Sequence, residues 1–283
     1  PPPASASAPP PVVAQMPGAD TLDRYGVWQD NSDYGMVWYP RVDSGWAPYR
    51  EGHWAYVQPW GWTWIDSEPW GFAPFHYGRW MEVHGRWGWT PGEQRVAESP
   101  VYAPALVTFI GIGAGVGAAL ASGRVGWYPL GPHEAYHPWY HASENYVRAV
   151  NRSHVTDVTV INRNVTINNF ANRPGMTVVP ARAMAESRPV RQAAVRVDPH
   201  LQASARPVVG TDPIRPIAAT AGITPGLARQ MHLAPAPQGI AAAAHVAPGP
   251  AIHPMAPMQG VVARPPLQNH PERPGGAVPP AGA

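Results

Sequence analysis

Several residue types are missing or scarce in this 283-residue chain, and each absence closes a class of chemistry. Cysteine is absent, which excludes disulfides, thiolate metal sites and a cysteine nucleophile. It leaves the compartment open, because many exported bacterial proteins have no cysteine. Lysine is absent too, so all 20 basic residues are arginine. A planar guanidinium stacks on aromatic faces where an ammonium stays hydrated, so arginine and 13 tryptophans suit stacked pairs. Charged residues make up only 13% of the chain. No Gly-x-Ser-x-Gly elbow and no P-loop occurs, and the Gly-x-Gly pairs lack the helix and acidic residue of a dinucleotide site.

What the chain has in quantity is 38 proline and 28 glycine residues. That level favours irregular or extended chain over long helices. The net charge of +2 hides an asymmetry. Residues 1–172 hold 10 Arg against 14 Asp and Glu, and residues 173–283 hold 10 Arg against 4. A basic tail beside an acidic core could lie on that core, on a neighbouring copy or on an acidic polymer.

Four zones follow. Residues 1–19 are rich in Pro, Ala and Ser and read as an extended leader, such as a mature chain shows after signal removal, or an excised fragment. Residues 20–140 hold every tryptophan, from Trp28 to Trp139. Residues 141–172 predict a short helix near Ser143–Val150, then a β-hairpin or arch built on Val155–Asn162 and Val165–Phe170. Residues 173–283 carry no aromatic ring of Trp, Tyr or Phe and read as an extended Pro/Ala/Arg-rich tail.

Within the tryptophan zone a repeat recurs at 26 residues. Trp38, Ala47-Pro48-Tyr49 and Gly52-His53-Trp54 match Trp64, Ala73-Pro74-Phe75 and Gly78-Arg79-Trp80. A third start stands at Trp87-Gly-Trp89-Thr-Pro91, and a degenerate one at Gly126-Trp127-Tyr128-Pro129. Trp60, Trp62 and Trp64 alternate at period two, as on a strand. The expected fold class is mainly β: tandem short antiparallel hairpins rich in Trp, Pro and Gly, with long extended Pro/Ala-rich segments at both ends. Such units cannot bury their rings alone, so stacked units supply the core. The uncharged run 99–123 is long enough to span a bilayer, but its alternating Gly111, Gly113, Gly115 and Gly117 fit two buried strands better than one helix.

These stretches resemble an uncharacterised family of exported bacterial proteins with repeated aromatic-x-Trp-x-Pro motifs, some with a FecR-like domain. The matching segments are Val37-Trp-Tyr-Pro40, Trp46 to Trp54, Trp70 to Trp80, Tyr102-Ala-Pro-Ala-Leu-Val107, Gly126 to Pro132, Pro138-Trp139-Tyr140, the Asn-Val-Thr stretch and Ser187 to Val197. The likeness runs over most of residues 25–210, without a FecR-like portion. It implies an envelope location and a β-rich fold, and brings no activity and no site residue.

Candidate sites are few. His133, His137 and His141 would share a helix face beside Glu134, but Gly131, Pro132 and Pro138 interrupt that helix, so no metal is assigned. Asp66 with Glu68, or Glu51 with Glu82, have the chemistry of a glycosidase pair, yet turn carboxylates are the simpler reading and no catalytic residue is assigned. Most tryptophans are expected in the core. Rings flanking the proline turns, Trp46, Tyr49, Phe75 and Tyr77, are the ones expected to bind if an aromatic surface is exposed. A net acidic core without lysine argues against nucleic acid. The expectation is a non-catalytic structural or interaction protein of the bacterial envelope or extracellular space. It needs no cofactor, and its tail wraps a partner or a neighbouring copy, as in a filament or surface layer. The alternative is a module that binds cell-wall or other polysaccharide through exposed Trp and Tyr.

Overall fold

A computed structural model of the chain describes residues 7–92, 99–111, 123–155, 171–196, 198–204, 206–208, 214 and 216. All lie in one compact unit, Pro1–Ala247; a second unit, Pro248–Ala283, contains none of them. The architecture is β-rich, with short antiparallel hairpins, as the alternation and punctuation predict. Strands β1 (Gly26–Asn31) and β2 (Gly35–Pro40) form the first hairpin, β3 (Gly52–Val57) and β4 (Gly61–Asp66) the second, β5 (Arg79–Val83) and β6 (Arg86–Thr90) the third. The first and third join edge to edge in a four-stranded sheet, β1-β2-β6-β5, while β3-β4 stands as a two-stranded ribbon. A second four-stranded sheet follows in the order β10-β7-β8-β9, from β7 (Val107–Gly111), β8 (Arg124–Pro129), β9 (Thr177–Pro180) and β10 (Arg206–Pro207).

The repeat is a hairpin, and its logic is steric. Each opens on Gly-x-Trp: Gly26-Val-Trp28, Gly52-His-Trp54 and Gly78-Arg-Trp80. In register, Trp28 faces Trp38, Trp54 faces Trp64 and Trp80 faces Trp89. Each glycine lies against the tryptophan of the return strand. A Cβ at Gly26, Gly52 or Gly78 would come closer than 3.0 Å to the ring of Trp38, Trp64 or Trp89 respectively. Glycine is therefore required by close approach at all three. The first unit, beginning at Gly26, is not visible in the Trp-to-Trp reading of the repeat. The third start at Trp87 is the return strand of the third hairpin, and Gly126-Trp-Tyr-Pro129 is β8 of the other sheet.

Trp38 also faces Trp89 across the β2–β6 seam. Trp28, Trp38, Trp89 and Trp80 thus form one row across four strands, and directly opposed residues share a face. That face meets the ribbon and the second sheet in a single aromatic core. Trp54 sits between them, edge-on to Trp64 at 5.3 Å and to Trp127 at 5.3 Å, and tilted against Phe109 at 5.0 Å. Eleven of the 13 tryptophans are buried; Trp46 and Trp60 are partly exposed. Edge-to-face packing of this kind adds about 0.5–1.5 kcal/mol per pair beyond area burial.

Two boundaries differ from the sequence-based expectation. The leader is not extended throughout: Pro11–Gln15 is a 3-10 turn, and Val12, Val13, Met16 and Ala19 enter the core. The tail likewise begins folded. β9 pairs with β8, β10 with β7, and the short helices Ala181–Ala185 and Val190–Ala193 carry Ala183, Met184 and Val190 into the same core. Compositional bias conceals this because a few aliphatic side chains suffice when aromatic units already offer pockets. The short helix is Glu144–Asn151, one residue from its expected place, with the Ser143 hydroxyl accepting from the Tyr146 N–H. The expected hairpin or arch lies mostly outside the described residues, as do Gly113, Gly115, Gly117 and the tail beyond residue 216. No described helix is long and apolar enough to cross a membrane.

Candidate binding cleft

The four rings expected at a surface are placed differently from one another. Tyr49 and Phe75 are fully buried and Tyr77 is 7% exposed, so three of the four are corrected to core positions. Tyr49 adopts a positive φ of 63°, a costly conformation for a bulky residue. It joins three elements: its hydroxyl donates to the Phe75 carbonyl at 2.9 Å and accepts from the Leu106 N–H at 3.0 Å, and its carbonyl accepts from Trp127 Nε1 at 3.1 Å. Phe75 stacks on Trp70 at 6.0 Å and stands edge-on to Tyr49 at 4.8 Å. Burial pushes the Tyr77 hydroxyl up to about 12, where it stays neutral. The Ala-Pro-aromatic turns therefore bring their rings inward, and the repeat uses them for packing.

Trp46 is the exception. It lies on the loop between β2 and β3, half-buried, with its ring tilted against Trp70 at 5.7 Å and Trp80 at 5.5 Å. Those fully buried indoles hold it in place. It also lines a cleft of about 700 Å³. One wall is the β2–β3 loop with Arg41, Asp43, Arg50 and Glu51, plus Glu68 from the turn after β4. The other is the start of the folded tail, with Met176, Thr177, Val178 and Arg191.

The cleft is braced by bonds across its walls. Arg50 Nε donates to Thr177 Oγ1 at 3.0 Å, and its Nη2 to the Met176 carbonyl at 3.2 Å. Arg191 pairs with Glu51 at 3.1 Å. Arg41 is tied to the Arg24 and Gly26 carbonyls at 2.8 and 3.3 Å. Glu68 titrates above the usual carboxylate range, because burial disfavours its charge and Glu51 and Asp43 stand near it. Sequence analysis assigned neither Arg50 nor Arg191 to a site, since 127 residues separate Arg50 from its Thr177 partner. The usable signal was the acidic core beside a basic tail, and Glu51–Arg191 is one place where the two meet.

Other titratable groups serve the fold. Asp66, the last residue of β4, accepts from Trp64 Nε1 at 2.8 Å and from the Glu68 N–H at 2.9 Å. Although part of the residue reaches the surface, burial raises its carboxyl well above the ordinary range. Glu82 is exposed on β5, whereas Glu51 lies on the loop before β3 and pairs with Arg191. Buried Arg79 donates to the Gly78 and Glu134 carbonyls and to Asn151 Oδ1. The Glu134 carboxylate caps the backbone N–H groups of Gly131 and Ala171. His133, His137 and His141 lie in irregular chain rather than on a helix. Among the described residues no group of three or more His, Asp or Glu is placed to hold a metal ion. The other partly exposed indole, Trp60, packs edge-on against Tyr102 and Tyr140 at 5.5 and 5.6 Å. A hydroxyl chain lies beneath it: Tyr136 donates to Tyr140, which bonds Tyr146, which donates to the Tyr102 carbonyl.

No curated protein and no solved structure matches the chain. The stretch that carries all three hairpins, β7, β8 and the loop wall of the cleft, residues 19–134, matches the model of a family of unknown function, DUF6600.

Proposed function

We propose that this chain is a non-catalytic interaction protein of the bacterial envelope or extracellular space, and that its C-terminal segment ties it to a partner or to a neighbouring copy. The observation that carries this is the mode of docking of the segment's first part. The described residues between Met176 and Ile214 attach to the aromatic body through backbone atoms as much as side chains: β9 on β8, β10 on β7, the Met176 carbonyl on Arg50, and the Ile214 carbonyl on Trp62 Nε1 at 2.7 Å. Backbone-led docking tolerates a biased Pro/Ala sequence, and proline limits the entropy lost on ordering. The same chemistry suits the rest of the segment on a second surface. A non-catalytic role agrees with the use of Asp66, Arg79 and Glu134 in structural hydrogen bonds.

Deleting residues 217–283 tests the proposal while leaving the docked part in place. Light scattering and electron microscopy of the full chain should show an assembly that the shortened chain fails to form. A shortened chain that assembles normally would sink the idea. The second reading, polysaccharide binding, is favoured by one observation: the cleft beside Trp46.

A further inference from the structure

The Trp46 cleft has a composition that selects among ligand chemistries. Its lining holds four guanidiniums, from Arg41, Arg50, Arg191 and Arg196, and three carboxylates, from Asp43, Glu51 and Glu68. Arg41 and Arg50 are committed to carbonyl and hydroxyl oxygens, and Arg191 to Glu51. Asp43 and Glu68 are carboxylates whose side chains meet no donor in the hydrogen bonds and ion pairs of the described residues. Hydrogen bonds to neutral oxygens leave the charges of Arg41 and Arg50 in place, so a polycation entering here meets Arg41, Arg50 and Arg196, a polyanion meets Asp43 and Glu68, and the lining is close to balanced in charge. An added peptide strand finds the outer edge of β9 already used, since the Val195 N–H donates to the Val178 carbonyl.

What the cleft offers is an indole in its lining packed against Trp70 and Trp80, apolar contact from Val42 and Met176, and a rim of mixed acceptors and donors. A pyranose has that pattern in reverse, with an apolar C–H face and hydroxyls that both donate and accept. The volume lies within the range of ligand sites for molecules larger than one sugar ring. We infer that the cleft between the β2–β3 loop and the folded tail binds a short stretch of neutral glycan, with Trp46 as the stacking platform and Asp43 and Glu68 accepting from its hydroxyls. This rests on the reading of the chain as a binding protein, and specifies the ligand class at one site. Because both walls are needed, the folded tail is part of the site.

Calorimetric titration of the full chain with three probes tests it: chitotetraose (neutral), its fully deacetylated form (cationic) and tetragalacturonate (anionic). Chitotetraose should bind, and the charged probes should bind at least tenfold more weakly. Trp46→Ala should lower chitotetraose affinity at least tenfold, with the circular dichroism unchanged. If Trp46→Ala does not fold, Glu68→Gln combined with Asp43→Asn decides, and an unchanged affinity overturns the proposal. Binding of the tetragalacturonate in preference to chitotetraose overturns it as well. A chain that binds none of the probes, yet loses its assembly on deletion of residues 217–283, overturns the glycan site and leaves the interaction reading standing. A monomer that binds chitotetraose through Trp46 does the reverse.

Discussion

Replacing Gly26 by alanine separates two reasons for glycine that usually coincide. Gly26 has φ −159°, extended backbone open to any residue, so alanine meets no conformational strain there. Its Cβ would nevertheless fall closer than 3.0 Å to the Trp38 ring and to the Tyr39 carbonyl oxygen. Trp38 cannot give way, being fully buried, edge-on to Trp70 at 5.0 Å, and bonded through Nε1 to the Leu22 carbonyl at 3.0 Å. Overpacking of this kind costs about 3 kcal/mol. Alanine recovers about 0.7 kcal/mol by restricting the unfolded chain. The net loss is therefore about 2 kcal/mol. Gly85 supplies the contrast, with φ +76° and open space within 4 Å of the point where a methyl would stand. There only the left-handed conformation opposes alanine, at about 1–2 kcal/mol before the same recovery. Gly78 combines φ +70° with a collision against the Trp89 ring, and should lose most. Urea unfolding followed by tryptophan fluorescence reads all three. At a slope of about 2 kcal/mol per molar, Gly26→Ala should move the midpoint down by about 1 M. If Gly26→Ala costs under about 0.5 kcal/mol, or Gly85→Ala costs more than Gly78→Ala, the steric account of the repeat is wrong.

Asn151→Ala should cost about 3–5 kcal/mol in the same assay, because it strands buried Arg79 and the Tyr136 backbone at once; a loss under about 1 kcal/mol would mean the network is dispensable. His154 is buried, and desolvation, with Arg79 next in effect, holds it well below its ordinary 6.5. Its neutral form is favoured in the fold, so its contribution is present above pH 6.5 and is lost as pH falls toward the folded value; His154→Gln should flatten that acid limb. Asp66 has the opposite sign. Its raised folded pKa contributes stability present below about pH 4 and lost as pH rises through the folded value, so Asp66→Asn should remove a decline on the alkaline side of about pH 4, measured by midpoint against pH. A chain ending at residue 216 should keep the near-ultraviolet dichroism of the tryptophan core, whereas one ending at residue 170 should lose it, since the second sheet then forfeits β9 and β10 and the core loses Val179, Met184 and Val190.

Much of the β architecture was legible because its causes are local. Period-two tryptophans and proline turns state short strands and their breaks, and the 26-residue offset states their repetition, although reading the unit from Trp to Trp leaves out the hairpin that opens at Gly26. What stayed hidden depends on pairs far apart in the chain. The seam between β2 and β6 rests on Trp38 opposite Trp89, and nothing in the repeat says that the first and third hairpins join while the second stands aside. The folded tail was hidden for a related reason. Its buried positions include Val179, Ala183, Met184 and Val190, ordinary aliphatics spaced by proline and arginine, and only the tryptophan body makes their burial worthwhile. At the candidate site, Trp46 was nameable from its place beside a proline turn, but so were Tyr49 and Phe75. The distinction between them is made by Tyr49's hydrogen bonds to Phe75 and Leu106.

The division of labour among the aromatic residues constrains where function can reside. A row of four tryptophans across one sheet, with Trp70 against it, and a second cluster of Trp54, Trp64 and Trp127 in the same core spend nearly all the indole surface on cohesion. Units this short have no other way to exclude water from their hydrogen bonds. In the proposed binding role, recognition falls to what the repeat does not hold constant. Trp46 precedes Ala47-Pro48-Tyr49, and Phe72 stands at the corresponding place before Ala73-Pro74-Phe75. Phe72 packs on His76 at 4.6 Å and on Tyr102, whereas Trp46 borders the open cleft. The two positions are equivalent by repeat and different by surroundings: the folded tail forms the facing wall of the cleft at Trp46, and Phe72 is taken up by His76 and Tyr102. The proposed binding site is thus a property of the joint between repeat and tail, and a point substitution in the cleft lining on either side of that joint should alter it without disturbing the tryptophan core.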